Sequence, residues 1–327
     1  MKKIILILFL ITLYAHTYSQ GCTKSSITFN RDAFELSDSL QPNSSIDQLT
    51  AQIKSLRNTE LDQLYIVAGW IVDNMNFDMQ KFKTGGPVDD FEAIFRNKAG
   101  TCGEYATIFS EFCTRLGIKN YIIEGYVPEI DNSKSVFVET NHAWNVVKVD
   151  NCWYHCDLQG FSGQLVQSQG GEYIFRKQPN PNSFLTKDYF FISKHIPADP
   201  MWQFTEYPKD IEMLITGIQI VEEEESAKFN YCDSIHAFCQ LSAEEKKIKF
   251  AKNANKYNPH NHNVIVINYY NVAVEIINAA NGEKDKLIEA KQLLLVAKEH
   301  VDYTSNGVQE LRADIYEALK YIKKYVP

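Results

Sequence analysis

"GTCGEYATIFSEFCTRLGI", residues 100–118, decides how the chain is read. Thr101 followed by Glu104 fits the S/T-x-x-E capping box, which makes Thr101 the N-cap and Cys102 the first helical residue. Tyr105, Ala106, Phe109, Phe112, Cys113 and Leu116 recur at helical spacing and define the face to be buried. Gly117 supplies the stop. A thiol at a helix N-terminus feels the positive end of the helix dipole and unpaired backbone N–H groups, and both favour the reactive thiolate. The same N–H groups suit an oxyanion formed when that sulfur attacks a carbonyl. The helix by itself leaves Cys102 open as a buried structural thiol or a nucleophile. Cys113, mid-helix on the apolar face, reads as core.

Downstream the period changes to two. YIIEGYV (121–127) is β-rich, a polar insert, PEIDNSKS, precedes VFVET, and HAWNVVKV-DN-CWYHCDL then gives two strand-like runs around Asp150-Asn151. If those two residues form a tight turn, Val149 pairs with Cys152, and paired positions sum to 301. Trp144 then faces Asp157, and His142 lies diagonally from the carboxylate on the same face. Such diagonal neighbours are about 7–8 Å apart at the backbone, a gap that long side chains bridge. An imidazole and a carboxylate so placed can hydrogen-bond, orienting the ring and favouring its charged form. A surface salt bridge in a hairpin is the plain alternative. A helix-start cysteine, a histidine and an aspartate within the 56 residues from 102 to 157 are also the set that nucleophilic thiol chemistry uses.

The chain has 327 residues, 45% of them hydrophobic and 23% charged, which describes a globular protein of one large domain or two ordinary ones. A net charge of −8 without a basic cluster argues against binding nucleic acid or an anionic membrane. MKKIILILFLITLYAHTYSQGC reads as an export signal: Lys2 and Lys3, then an apolar run from Ile4 to Ala15 too short to span a bilayer, then Thr17 and Ser19 before cleavage at Gln20. Gly21-Cys22 offers lipoprotein anchoring as the alternative, though Ser19 stands where a leucine-like residue is usual. No other segment is apolar enough to cross a membrane, so the mature protein is expected to be exported, secreted or periplasmic. Outside the cytoplasm disulfides persist, and seven cysteines leave at least one unpaired within a monomer. Cys152 and Cys156 on one strand lie about 13 Å apart, and Cys232 and Cys239 on one helix about 10 Å, both beyond bonding reach.

Residues 1–19 are thus read as signal peptide, 20–45 as a loose tether, 46–215 as the domain carrying Cys102, and 222–327 as a helical region. In the 46–215 domain Leu64, Val67, Trp70, Ile71 and Met75 line one helix face, and Asp89 or Asp90 caps FEAIFRN. Residues 161–184, rich in Gly, Gln and Asn, read as a long surface loop and DYFFISKHI (188–196) as a buried strand. Helices are expected near 224–238, 243–257, 262–280, 284–301 and 306–325, an array vaguely like tetratricopeptide repeats but too irregular to be called one. Paired helices of this sort make concave surfaces, which fits a protein partner.

"GTCGEYATIFSEFCTRLGI", "YIIEGYV" and "NHAWNVVKVDNCWYHCDLQG" together resemble the transglutaminase-like superfamily. The pattern is a Cys at a helix start, a His in a His-Ala-Trp strand and an Asp after a Trp-Tyr pair. It extends over about residues 60–205, and "DYFFISKHIPADPMWQFTEYP" resembles the branch related to the kyphoscoliosis peptidase. The resemblance implies an α+β, papain-like fold in which the cysteine helix packs on an antiparallel sheet. It also implies a Cys102–His142–Asp157 triad, acyl transfer on protein or peptide amides, and no cofactor. Family members include cross-linkers, proteases, deglycosylating amidases and inactive scaffolds. Leu-Gln-Gly after Asp157 departs from the family's usual Pro-Thr. A Trp or Gln side chain is the usual second oxyanion donor, which makes Trp70 and Trp144 candidates, although Trp144 also suits a core place beside His142. A zinc site from Cys152, His155 and Cys156 has the wrong alternation, and no calcium-loop pattern is present. His260 and His262 read as polar residues of a helix-connecting turn rather than metal ligands.

Overall fold

The computed structural model describes residues 27–128, 137–187, 189–212 and 228–326. The expected signal peptide, with Cys22, and most of the PEIDNSKS insert lie outside these residues. The chain divides into two compact units, Met1–Glu124 with His142–Ile192, and Gly125–Asn141 with Ser193–Pro327.

The first unit is built on two helices. Helix α1 (Glu60–Asn74) is buried almost without interruption from Gln63 to Val72, so the single face read from its sequence is in fact a helix surrounded by core. Helix α2 (Cys102–Leu116) packs on it, with Tyr105, Phe109, Phe112 and Cys113 buried and Leu116 half-buried. Gly117, at φ 82°, ends α2 in the left-handed region, as its sequence predicts. The expected tether is a correction. Residues 31–35 form a short helix capped by Asn30, Ala33 is buried, and Phe29 meets the Tyr65 ring edge-on at 5.2 Å. Aromatic residues in this leader give it enough apolar surface to dock.

A sheet carries the rest of this unit. Strands β1 (Asn120–Tyr126), β2 (His142–Val149), β3 (Cys152–Cys156) and β4 (Phe184–Thr186) lie in the order β4-β3-β2-β1. β2 and β3 are antiparallel, with Val149 opposite Cys152 and Asn145 opposite Cys156, the register summing to 301. Asp150 and Asn151 both have positive φ, 49° and 63°, the conformation of a tight two-residue hairpin turn. Val147, Val149, Tyr154 and Cys156 join the α2 side chains in one core. The Asn145 amide donates to the carbonyl of Ala106 at 3.0 Å, fixing strand to helix.

Two readings from the sequence are corrected. Residues 163–167 and 173–177 pair as a hairpin rather than forming a loop, and residues 189–192 are a helical turn followed by a two-residue strand at 196–197. Polar strand residues hid the hairpin, and a short apolar run carries no decisive period. In the second unit the last residues of β1, Gly125 and Tyr126, pair with Pro197 and Ile196. The remainder is helical: Tyr231–Gln240, Ala243–Tyr257, Asn263–Ala279, Lys284–His300 and Leu311–Lys323. Ala273, Ala290 and Ala297, all buried, let these helices approach closely. Among the described residues no helix is long and apolar enough to cross a membrane.

The entry to α2 is held by a buried carboxylate. Glu104 accepts from the Thr101 N–H at 2.7 Å, the Thr101 hydroxyl at 2.9 Å, the Asp89 N–H at 3.2 Å and Lys81 Nζ at 2.5 Å. Burial would raise this carboxyl, but Lys81 and the donors of Thr101 and Asp89 hold it below its ordinary 4.5. A Cβ on Gly100 would fall 2.2 Å from Glu104 Cβ, so only glycine admits the carboxylate here. Glu104→Gln is expected to cost about 3 kcal/mol in urea unfolding, since Lys81 loses its buried partner. A folded value below the unfolded one stabilises fully above about pH 4.5, and this contribution is lost as pH falls through the depressed folded value. The wild type should therefore lose more stability than the variant between pH 5 and 3, and parallel losses would contradict the assignment.

Candidate active site

Cys102 opens α2, and the His142 imidazole and the backbone N–H of Ala143 both act on its thiol. His142 opens β2, and its Nε2 lies 3.1 Å from Asp157 Oδ2, which leaves Nδ1 as the ring nitrogen for the sulfur. The hairpin register explains this contact: the pair sits on the diagonal one step beyond the last ladder rung. The three predicted polar residues are thus brought together, with the His142 and Asp157 side chains only 8% and 3% exposed.

Asp157 is itself constrained. Its Oδ1 accepts the Gly160 N–H at 2.9 Å, capping the short helix Leu158–Ser162, and its own N–H donates to the Ser183 carbonyl at 2.8 Å. A Cβ on Gly160 would come 2.4 Å from Oδ2, the oxygen that meets His142. The Leu-Gln-Gly that departs from the usual family sequence therefore supplies a donor and the room for the carboxylate.

Electrostatics follow from this packing. Burial pushes the Cys102 thiol up, but the hydrogen bond and charge of His142, with the Ala143 N–H, more than offset it and leave the thiol below its ordinary 9.0. For His142, burial opposes the charged ring, yet Asp157 and the sulfur raise it to about 10. A lowered thiol beside a raised imidazole favours the thiolate–imidazolium pair, the reactive state of a cysteine nucleophile. Cys113 and Cys156 are buried and pushed well up by desolvation, so neither is a nucleophile.

The two tryptophans stand elsewhere in the design. Trp70 packs in the core, stacked on Phe95 at 5.8 Å and edge-on to Phe112 at 5.1 Å. Trp144 stacks on His142 at 5.7 Å, and its indole N–H donates to His155 Nδ1 at 3.0 Å. With that N–H committed, Trp144 acts as the core aromatic flanking His142. The role of His155 escaped the sequence reading, although Trp144 and His155 lie on the same diagonal, summing to 299, as His142 and Asp157. Cys152 is disulfide-bonded, which removes it from a zinc set with His155 and Cys156; Cys156, Cys232 and Cys239 are not in disulfides. His262 instead faces His300, Nδ1 to Nδ1 at 2.9 Å.

A sequence profile described as the transglutaminase-like superfamily matches residues 47–158, a span that contains Cys102, His142 and Asp157. Residues 47–158 are therefore a transglutaminase-like domain, set in a mixed helix-and-sheet chain with a helical C-terminal region. The human kyphoscoliosis peptidase is 26% identical over 212 residues, 60% of this chain and 31% of the human protein. Its mouse counterpart is 26% identical over 178 residues, 51% of this chain and 25% of the mouse protein. The matches thus span less than a third of these relatives. A solved structure described as a TGase aligns at 17% identity and a TM-score of 0.29, covering 50% of this chain and 41% of that one.

Iodoacetamide at pH 7 is expected to label Cys102 at least about tenfold faster than Cys113, and His142→Ala to slow that labelling by about tenfold. Equal labelling of both thiols, unaffected by His142→Ala, would contradict the thiolate assignment. Gly160→Ala should displace Asp157 and shift the pH at which Cys102 labelling is half-maximal upward. An unchanged profile would free Gly160 from this role.

Proposed function

We propose that the protein is an exported thiol acyl-transfer enzyme that acts on protein or peptide amide bonds through Cys102, His142 and Asp157, with hydrolysis favoured over cross-linking. The observation that carries this reading is the shared imidazole: His142 Nε2 meets Asp157 Oδ2 at 3.1 Å, and the same ring lowers the Cys102 thiol. The peptidase name of the curated relatives supports a peptide substrate, and the sequence of residues 1–19 supports export.

In this mechanism the Cys102 thiolate attacks the carbonyl carbon, forming a C–S bond and placing charge on the carbonyl oxygen. The N–H of Cys102, among the helix-start donors without an intrahelical acceptor, is the proposed oxyanion donor. Collapse breaks the C–N bond, and the leaving amine takes its proton from the His142 imidazolium. Neutral His142 then removes a proton from water, which attacks the thioester. The acid departs, and the thiolate–imidazolium pair is restored. Asp157 holds the ring in the orientation and charge state that both half-reactions use.

Asp157→Asn should lower turnover of a peptide mixture, followed by mass spectrometry, about a hundredfold or more. Its unfolding midpoint should move far less. Unchanged turnover would remove Asp157 from the mechanism. Parallel incubation with a primary amine should leave hydrolysis products dominant, whereas mostly amine adducts would reverse the assignment of water as acceptor.

A further inference from the structure

The segment between Phe82 and Asp90 is exposed along its whole length, yet it is not loosely attached. Lys81, just before it, bonds both Asp89 Oδ2 at 3.0 Å and the buried Glu104 at 2.5 Å. The Asp89 N–H donates to the same Glu104 carboxylate at 3.2 Å. These contacts fasten residue 88 beside the first turn of α2, whose first residue is the proposed nucleophile. The fit is close: a Cβ on Gly103, the residue after Cys102, would fall 2.5 Å from Val88 Cγ2. Val88 nevertheless remains 53% exposed.

An apolar side chain left in water gains nothing from its position, while the buried carboxylate that fixes it is costly to desolvate. Val88 is thus held against the backbone of residue 103, one position along the helix from Cys102. A polar or charged substrate side chain there would exchange water for a valine methyl, and an apolar one would bury surface from both partners.

We propose that Val88 is a specificity-determining residue, forming an apolar wall beside Cys102 that receives a large apolar side chain flanking the amide under attack. The inference rests on the thiol acyl-transfer reading and names its substrate class: peptides with a bulky apolar residue at the reacting position.

The test uses the full chain and three reagents that alkylate cysteine as its thiolate, with the modified residue identified by peptide mapping: iodoacetamide, Ac-Ala-Phe-chloromethyl ketone and Ac-Ala-Asp-chloromethyl ketone. In each case the sulfur displaces halide and forms a thioether, so rate reports binding beside Cys102 without turnover. The Phe reagent should label Cys102 at least about tenfold faster than the Asp reagent. Val88→Ser and Val88→Asn should reduce that ratio by about tenfold, Val88→Ile should keep it, and the change in iodoacetamide rate should be small beside the change in that ratio. An unchanged ratio in the Ser and Asn variants, with selective iodoacetamide labelling intact, overturns the role of Val88 alone. Loss of iodoacetamide selectivity for Cys102 in the wild type overturns the nucleophile and this inference with it.

Discussion

One imidazole shared between a sulfur and a carboxylate is the constraint around which the first unit is arranged. The carboxylate and the ring are both nearly sealed from water, where an isolated charge would be expelled or neutralised. They tolerate burial because each charge has a partner: Asp157 Oδ2 meets the ring at 3.1 Å, and Oδ1 is satisfied by Gly160. The ring in turn acts on the Cys102 thiol, which the Ala143 backbone N–H also lowers. Remove His142 and the buried Asp157 carboxylate loses its cationic partner. The site is thus coupled to the fold as well as to chemistry.

Three local structures meet to make that geometry. A tight turn at Asp150-Asn151 sets the hairpin register and so the diagonal on which ring and carboxylate meet. The Asn145 amide bonded to Ala106 holds the strand of His142 to the helix of Cys102. The buried Glu104, gripped by Lys81 and Thr101, fixes where that helix begins. The turn is specified locally, while the other two contacts join segments distant in the chain. The contrast among cysteines makes the same point. Cys113 shares a helix with Cys102 but lies among apolar side chains that disfavour its thiolate, while the first turn supplies donors and a cation.

Much of this was legible in the sequence because it rests on short-range rules. The S/T-x-x-E box marked the start of the helix, Gly117 its end, and a two-residue turn fixed the ladder, so the His142–Asp157 contact followed from counting. Applied to Trp144 and His155, the same count would have found their hydrogen bond too. What stayed hidden depends on tertiary context. Nothing local says that Glu104, beyond capping the helix, is also the buried partner of Lys81, twenty-three positions upstream. The absence of a Cβ at Gly160 has meaning only once Asp157 Oδ2 is placed against it. The hairpin at 163–177 has a polar, glycine-rich sequence whose pairing is set by neighbours, and the apolar stretch near 190 has no period long enough to separate helix from strand.

Because everything turns on the charge state of one ring, its titration is the most direct measurement. In protein labelled with 15N-histidine, the His142 imidazole nitrogens can be followed by NMR across the pH range. The account predicts that the ring stays protonated through neutral pH and releases its proton toward about pH 10. A ring that titrates at the ordinary value near 6.5, indifferent to Cys102→Ser and Asp157→Asn, would contradict it.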